Sequence, residues 1–334
     1  MRASHWIGSP GLGVAMMAVV ATTTISTTDA SAQVYPSRPV TMVVPFAAGG
    51  PSDTVARTLS EGMRVPLGQP IVVENVAGAA GSIGVGRVAR AAPDGYTLSF
   101  GHWSTHVVNG AVYPLQYDLL KDFEPISLLP SNPMLIVSKS AVPARDLKEL
   151  ITWLMANEDK ASAGTSGPGS GSHIAALYFQ RITGTNFRFV PYRGTGPALQ
   201  DLMAGHIDLV VDQVSNALPH ARRGLIKVFA VTAKTRLAVA PDIPTVDEAG
   251  APGLHMTIWY GLWAPKGTPK DIIAKINSAV VEALADPAVR QRFSELGLDA
   301  PSRNEQTPEA LASYHKSEIE KWWPLIKAAN ITVN

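Results

Sequence analysis

Two short stretches of small residues carry the most legible chemistry in this sequence. Ala47-Ala48-Gly49-Gly50-Pro51-Ser52-Asp53 follows the apolar run 40–46, and Gly167-Pro168-Gly169-Ser170-Gly171-Ser172-His173 follows the run 162–166. A strand that enters such a loop and leaves it as a helix frees backbone N–H groups. It also aims the positive end of a helix dipole at one point, and together these suit an anion. In the first loop Ala47, Ala48, Gly49 and Gly50 would supply main-chain donors, Ser52 a hydroxyl and Phe46 a wall. The competing reading is a plain tight turn in which glycine only relieves crowding. In the second loop Thr165, Ser166, Gly167, Gly169 and Ser170 combine amides with hydroxyls, against the alternative of an ordinary Gly/Ser surface loop. His173 either donates to a ligand or merely occupies the first helical turn. Asp53 reads as an N-cap, because a carboxylate beside an anion site repels the anion. Ser82, Ser104 and His106 follow other strand-like runs, at the sheet edges where open α/β folds take ligands. Arg193 is a candidate partner for a distal acidic group or an exposed loop arginine. Asp212, at a strand end, is a candidate selector of hydroxyl or amino groups.

Enzymatic alternatives lack their signatures. A hydrolase elbow G-x-S-x-G would need serine where Gly169 stands, and 78–84 lacks the G-x-G-x-x-G spacing of a dinucleotide site. No H-E-x-x-H, Walker loop or clustered metal-ligand set is evident, so neither catalysis nor a metal or cofactor is expected. The formal net charge of +1, with 16% charged residues and no basic run, argues against a nucleic-acid partner.

These loops must be held by a larger frame. Arg2, the apolar stretch 11–25 and Ala30-Ser31-Ala32 read as a signal peptide cleaved after Ala32, with a membrane anchor as the alternative. The expected compartment is the periplasm, which suits a chain without cysteine. Residues 33 onward exceed what one core usually serves. Strand-like and helix-like runs alternate along them, predicting sheets flanked by helices. Val55, Leu59 and Met63 mark one apolar helical face. Two extended stretches, 127–137 and 256–265, look like crossings between domains. Domain 1 is then 33–132 plus 258–334, and domain 2 is 133–257, with adjacent crossing strands as a hinge. Pro324 is expected to end or kink the last helix. No strong apolar patch is legible, so a monomer is the default.

The chain resembles the tripartite tricarboxylate transporter substrate-binding family, the Bug-type periplasmic receptors. The residues that carry the resemblance begin with Tyr35-Pro36-Ser37-Arg38-Pro39-Val40, Pro45 to Asp53, Glu74 to Gly81 and Pro93 to Leu98. They continue with Pro191-Tyr192-Arg193-Gly194, Gly205 to Leu209, Ile243 to Gly250 and Trp259 to Pro265, in order along nearly the whole chain. The resemblance implies a two-lobed, class-II-like periplasmic binding protein fold with two mixed sheets and a two-strand hinge. It implies capture of a small carboxylate, whether a di- or tricarboxylate, an acidic amino acid or an aromatic acid. The loops 46–53 and 165–170 would hold one carboxylate as a pincer, and the protein would deliver it to a two-component membrane permease. A sensory role, passing ligand closure to a membrane-bound kinase, is the alternative. Trp103 departs from the small or polar residue usual there, and would either stack on an aromatic acid or pack outside the site.

Overall fold

The computed structural model describes residues 35–328; the signal peptide and cleavage site expected from the sequence lie outside them. Runs of branched and aromatic residues form nine strands: β1 (Val40–Val44), β2 (Ile71–Asn75), β3 (Thr97–His102), β4 (Phe123–Lys139), β5 (Ser162–Thr165), β6 (Arg188–Pro191), β7 (Leu209–Gln213), β8 (Ile226–Val231) and β9 (Thr257–Pro265). The helices between them are α1 (Pro51–Leu67), α2 (Ser82–Ala89), α3 (Asn109–Val112), α4 (Leu147–Ala156), α5 (Gly171–Thr183), α6 (Thr195–Ala204), α7 (Val214–Arg222) and α8 (Val246–Ala249). Three more, α9 (Lys270–Ala285), α10 (Pro287–Glu295) and α11 (Pro308–Ala328), close the chain. A single turn of π-helix, Ser104–Val108, links β3 to α3.

The strands form two mixed sheets that share β4. β1 pairs in parallel with β2 and β3, and β9 lies antiparallel between β3 and β4. Residues 123–133 of β4 pair with β9, whereas 134–139 lie between β7 and β8. β5 then pairs in parallel with both β6 and β7. The two extended stretches singled out in the sequence are thus neighbouring antiparallel strands. Their ladder is interrupted by bulges at Pro125/Ser127 and Leu129/Ser131.

β1 shows why this arrangement forms: four of its five residues are buried, as a strand covered on both faces requires. Helix α1 buries Val55, Leu59 and Met63 on one face and ends at Gly68, whose φ of +82° is the left-handed conformation that suits glycine. Two local expectations are corrected. The N-cap of α1 is Gly50, not Asp53, because Pro51 brings a fixed φ suited to the first helical position and starts the helix earlier. Pro324 neither ends nor breaks α11, which continues to Ala328. Pro324 is exposed, so water can reach the carbonyl that its missing N–H leaves free.

Candidate functional site

The loop after β1 is tied down on both sides. The Ala47 N–H donates across to the carbonyl of Arg193 at 3.1 Å, and the Gly49 N–H donates to the Asp53 carboxylate at 3.0 Å. Burial opposes ionisation of Asp53, but hydrogen bonds from Arg57, Gly49 and Asn75 hold its carboxyl below the usual range. Two of the four amides expected to face a ligand therefore have protein partners. The loop after β5 is similarly organised. Ser170 N-caps α5, the Ser166 N–H donates to the Ser172 hydroxyl at 2.8 Å, and the Gly169 N–H donates to His173 Nδ1 at 3.0 Å. Across from the first loop, a Cβ on Gly196 would lie 3.0 Å from the Gly49 carbonyl oxygen and 3.1 Å from the Gly50 nitrogen. Only glycine allows so close an approach of two backbones.

Between these loops lies a small inner cavity of about 20 Å³, room for a water or one polar group of a ligand. The first loop lines it with Phe46, Gly50 and Ser52, and the second with Ser166 and with Gly171 and Ser172 of α5. Gly194 and Thr195 close another side, Asp212 and Gln213 a third, and His102, Met134 and Ile258 the remainder. Among the described residues no lysine or arginine lines it. A larger outer cavity of about 520 Å³ shares Phe46 and Ser166 with the inner one. It is walled by 78–81, by Gly167 and Pro168, and by Tyr192, Arg193 and Pro197. Ala79 and Ala80 sit there at φ of +44° and +47°, a region that costs non-glycine residues energy. At the rim the Tyr113 hydroxyl donates to the Pro168 carbonyl at 2.6 Å.

Two titratable groups line the inner cavity. His102 stacks on Phe46, with ring centroids 4.9 Å apart and planes 10° from parallel. Its Nδ1 accepts the Ser104 N–H at 3.1 Å, which puts the ring proton on Nε2. Burial pushes its pKa down to about 3, so it is a neutral donor. Asp212 is fully buried, and burial raises its pKa to about 6 despite the hydrogen bond from Asn216 and the nearby polar groups of Thr195 and the Gln213 main chain. Fixed dipoles, hydroxyls and a neutral imidazole in a dry cavity can hold a small anion without a counter-cation.

The expected residues thus fall into groups. Phe46, Gly50, Ser52, Ser166 and Asp212 line the inner cavity, and Gly167 and Arg193 the outer one. Ala47, Ala48 and Gly49 complete the first loop without lining either space. In the second loop Thr165 Oγ1 accepts the Gly167 N–H at 3.4 Å, and Gly169, Ser170 and His173 build the helix start. Ser82 opens α2, its carbonyl accepting from Tyr117. Trp103 packs edge-on against Trp322 with centroids 5.0 Å apart, which is packing outside the cleft rather than stacking on a ligand. His106 stacks on Trp263 at 3.8 Å inside the core, and Ser104 supports His102. The physical reason is the π-helical turn after β3, which directs these side chains inward. His102, Thr195 and Gln213 are lining residues that sequence reasoning missed. The signal for His102 was available: it shares the alternation of Leu98 and Phe100, and it ends β3 beside the end of β1.

The chain is similar to a known group of proteins. The family described as "Tripartite tricarboxylate transporter family receptor" matches residues 55–331. The structure of the periplasmic binding protein BugD superposes with a TM-score of 0.87 at 41% identity, covering 90% of this chain and all of BugD. MatC from Rhodopseudomonas palustris, solved with bound malate, gives 0.84 at 43% identity, over 87% of this chain and all of MatC. A second R. palustris protein, Rpa4515 with adipate, gives 0.84 at 31% identity, over 90% of this chain and all of that one.

Proposed function

Because this chain belongs to the tripartite tricarboxylate transporter receptor family, a family of periplasmic solute-binding receptors, we propose that it captures a small carboxylic acid between its two loops and delivers it to a membrane permease. The observation that carries this reading is the inner cavity. Loops from both sheets converge there with hydroxyls and main-chain groups, and among the described residues no cationic side chain lines it. A carboxylate held by fixed donors fits such a space, and the outer cavity has room for the rest of the molecule. The malate and adipate held by related proteins are of that chemical class.

In this reading residues 33–132 with 258–334 form one lobe and 133–257 the other. β4 and β9 join them, and their bulges are the places where the pair bends. The contacts of Ala47 with Arg193 and of Tyr113 with Pro168 then belong to a closed arrangement. Affinity comes from amide dipoles and hydroxyls that need no reorganisation once the lobes meet.

The test is a thermal-shift screen of ligand-stripped protein against citrate, dicarboxylates, acidic amino acids and aromatic acids, with the amides as controls. An acid at about 100 times its Kd adds roughly 2.7 kcal/mol of stability and raises the midpoint visibly. A shift with an acid and none with its amide supports the reading. Equal shifts with both, or none with any acid, refute it.

A further inference from the structure

Asp212 is an unusual group to find inside an anion-binding cavity. It is the penultimate residue of β7, is 0% exposed and lines the inner space. One carboxylate oxygen, Oδ2, accepts from the Asn216 amide at 2.5 Å, while Oδ1 has no hydrogen-bond partner. No lysine or arginine among the described residues lines the cavity to neutralise it. Asn216 of α7 bonds it, Thr195 of α6, the neutral His102 of β3 and the apolar Met134 and Ile258 of β4 and β9 share the cavity with it, and the buried Tyr260 of β9 lies near enough to feel its charge. A buried carboxylate oxygen without a donor is costly. Placed beside the carboxylate of a ligand, it would also repel that ligand. Both costs disappear if the ligand itself brings a donor to Oδ1.

We propose that Asp212 reads a hydrogen-bond donor, an O–H or N–H, on the ligand close to its captured carboxylate. The receptor then prefers 2-hydroxy or 2-amino acids to their unsubstituted counterparts. This rests on the carboxylate-receptor reading above and adds the class of acid to it. The small volume of the inner cavity keeps the donor within a bond or two of the carboxylate. Near neutral pH Asp212 is mostly ionised, since its pKa is pushed up only to about 6, so it acts as an acceptor there.

The test uses two matched sets: succinate, malate and aspartate, and 3-phenylpropionate, phenyllactate and phenylalanine. Each acid is titrated calorimetrically at pH 7.5 into ligand-stripped protein, wild type and Asp212→Asn. In the wild type the preferred hydroxy or amino acid binds at least about tenfold tighter than its unsubstituted counterpart. The arm that wins, hydroxyl or ammonium, names the donor. In Asp212→Asn the ratio falls towards one because the hydroxy or amino acid loses affinity, and an unchanged circular dichroism spectrum and melting midpoint show that the variant is folded. A wild-type ratio near one overturns the proposal without any variant, and so does an unchanged ratio in Asp212→Asn. Binding of other acids but of no hydroxy or amino member of either set overturns it too. Absence of binding by every acid refutes the receptor reading instead.

Discussion

Acidification should unfold this protein through three imidazoles that its core holds neutral. His102, His106 and His315 are all buried, with exposures of 4%, 0% and 2%. Burial is the largest cause in each case. It takes His102 down to about 3 and His315 to about 4, and His106, which also faces the other two rings, well below its ordinary 6.5. Among the described residues no carboxylate pairs with these rings. Glu318, the buried acid nearest in sequence to His315, accepts instead from the indoles of Trp259 and Trp322. A histidine depressed in the folded state contributes stability that is full above 6.5 and lost as the pH falls towards its folded value. Between pH 7 and pH 5 a ring held as low as His102 or His315 costs the native state about 2 kcal/mol, so these two cost about 4 kcal/mol. His106 and the partly buried His173, brought down to about 4, add to the loss. Asp212 works in the other direction. Burial raises it from 3.8 to about 6, so its proton uptake over the same interval returns about 1 kcal/mol. The net loss, at least about 3 kcal/mol, is a large share of a typical domain's stability. Urea unfolding followed by circular dichroism at pH 7, 6 and 5 measures it, with the slope against pH giving the number of protons taken up. His315→Gln keeps a neutral donor for the His106 carbonyl and should remove about 2 kcal/mol of the loss. Stability that is flat or rising from pH 7 to pH 5 would refute the reasoning.

Two further perturbations address the cleft. Gly196→Val places a side chain against the backbone of Gly49 and Gly50, so it should weaken ligand binding by at least about tenfold, with a melting midpoint within a few degrees because the loops can separate; an unchanged Kd would show that the loops need not meet. Tyr113→Phe deletes the hydroxyl bond to Pro168 and should weaken binding by about 2- to 10-fold, mainly through faster dissociation in a stopped-flow chase; an unaltered dissociation rate would show the rim contact is incidental.

Much of the frame was legible because its signals are local. The apolar spacing of Val55, Leu59 and Met63 became the buried face of α1, and the extended stretches 127–137 and 256–265 fall in the paired strands β4 and β9, all but Met256 of them. Both glycine-rich loops and Asp212 could be placed at strand ends for the same reason. What could not be read depended on distant partners. Whether the Ala47 amide is free is decided by a carbonyl at Arg193, and nothing near residue 47 announces it. Ser104 and His106 looked like sheet-edge residues, but the π-helical turn after β3 obeys neither the strand nor the helix period. Strand alternation alone sets His102 on the face of Phe100, but its role depends on the distant ring of Phe46 that stacks on it.

The two cavities differ in what makes their walls, and that difference bears on how such a receptor changes over evolutionary time. The inner one owes much of its shape to main chain and short side chains, so few substitutions there leave that shape intact. The outer one presents Tyr192, Arg193 and Pro197, of which Arg193 is exposed and free to vary without disturbing the core. A lineage can therefore acquire a new cargo by exchanging a few rim residues while inheriting the inner clamp unchanged. A designer seeking a receptor for a longer or bulkier acid would randomise the same rim positions first.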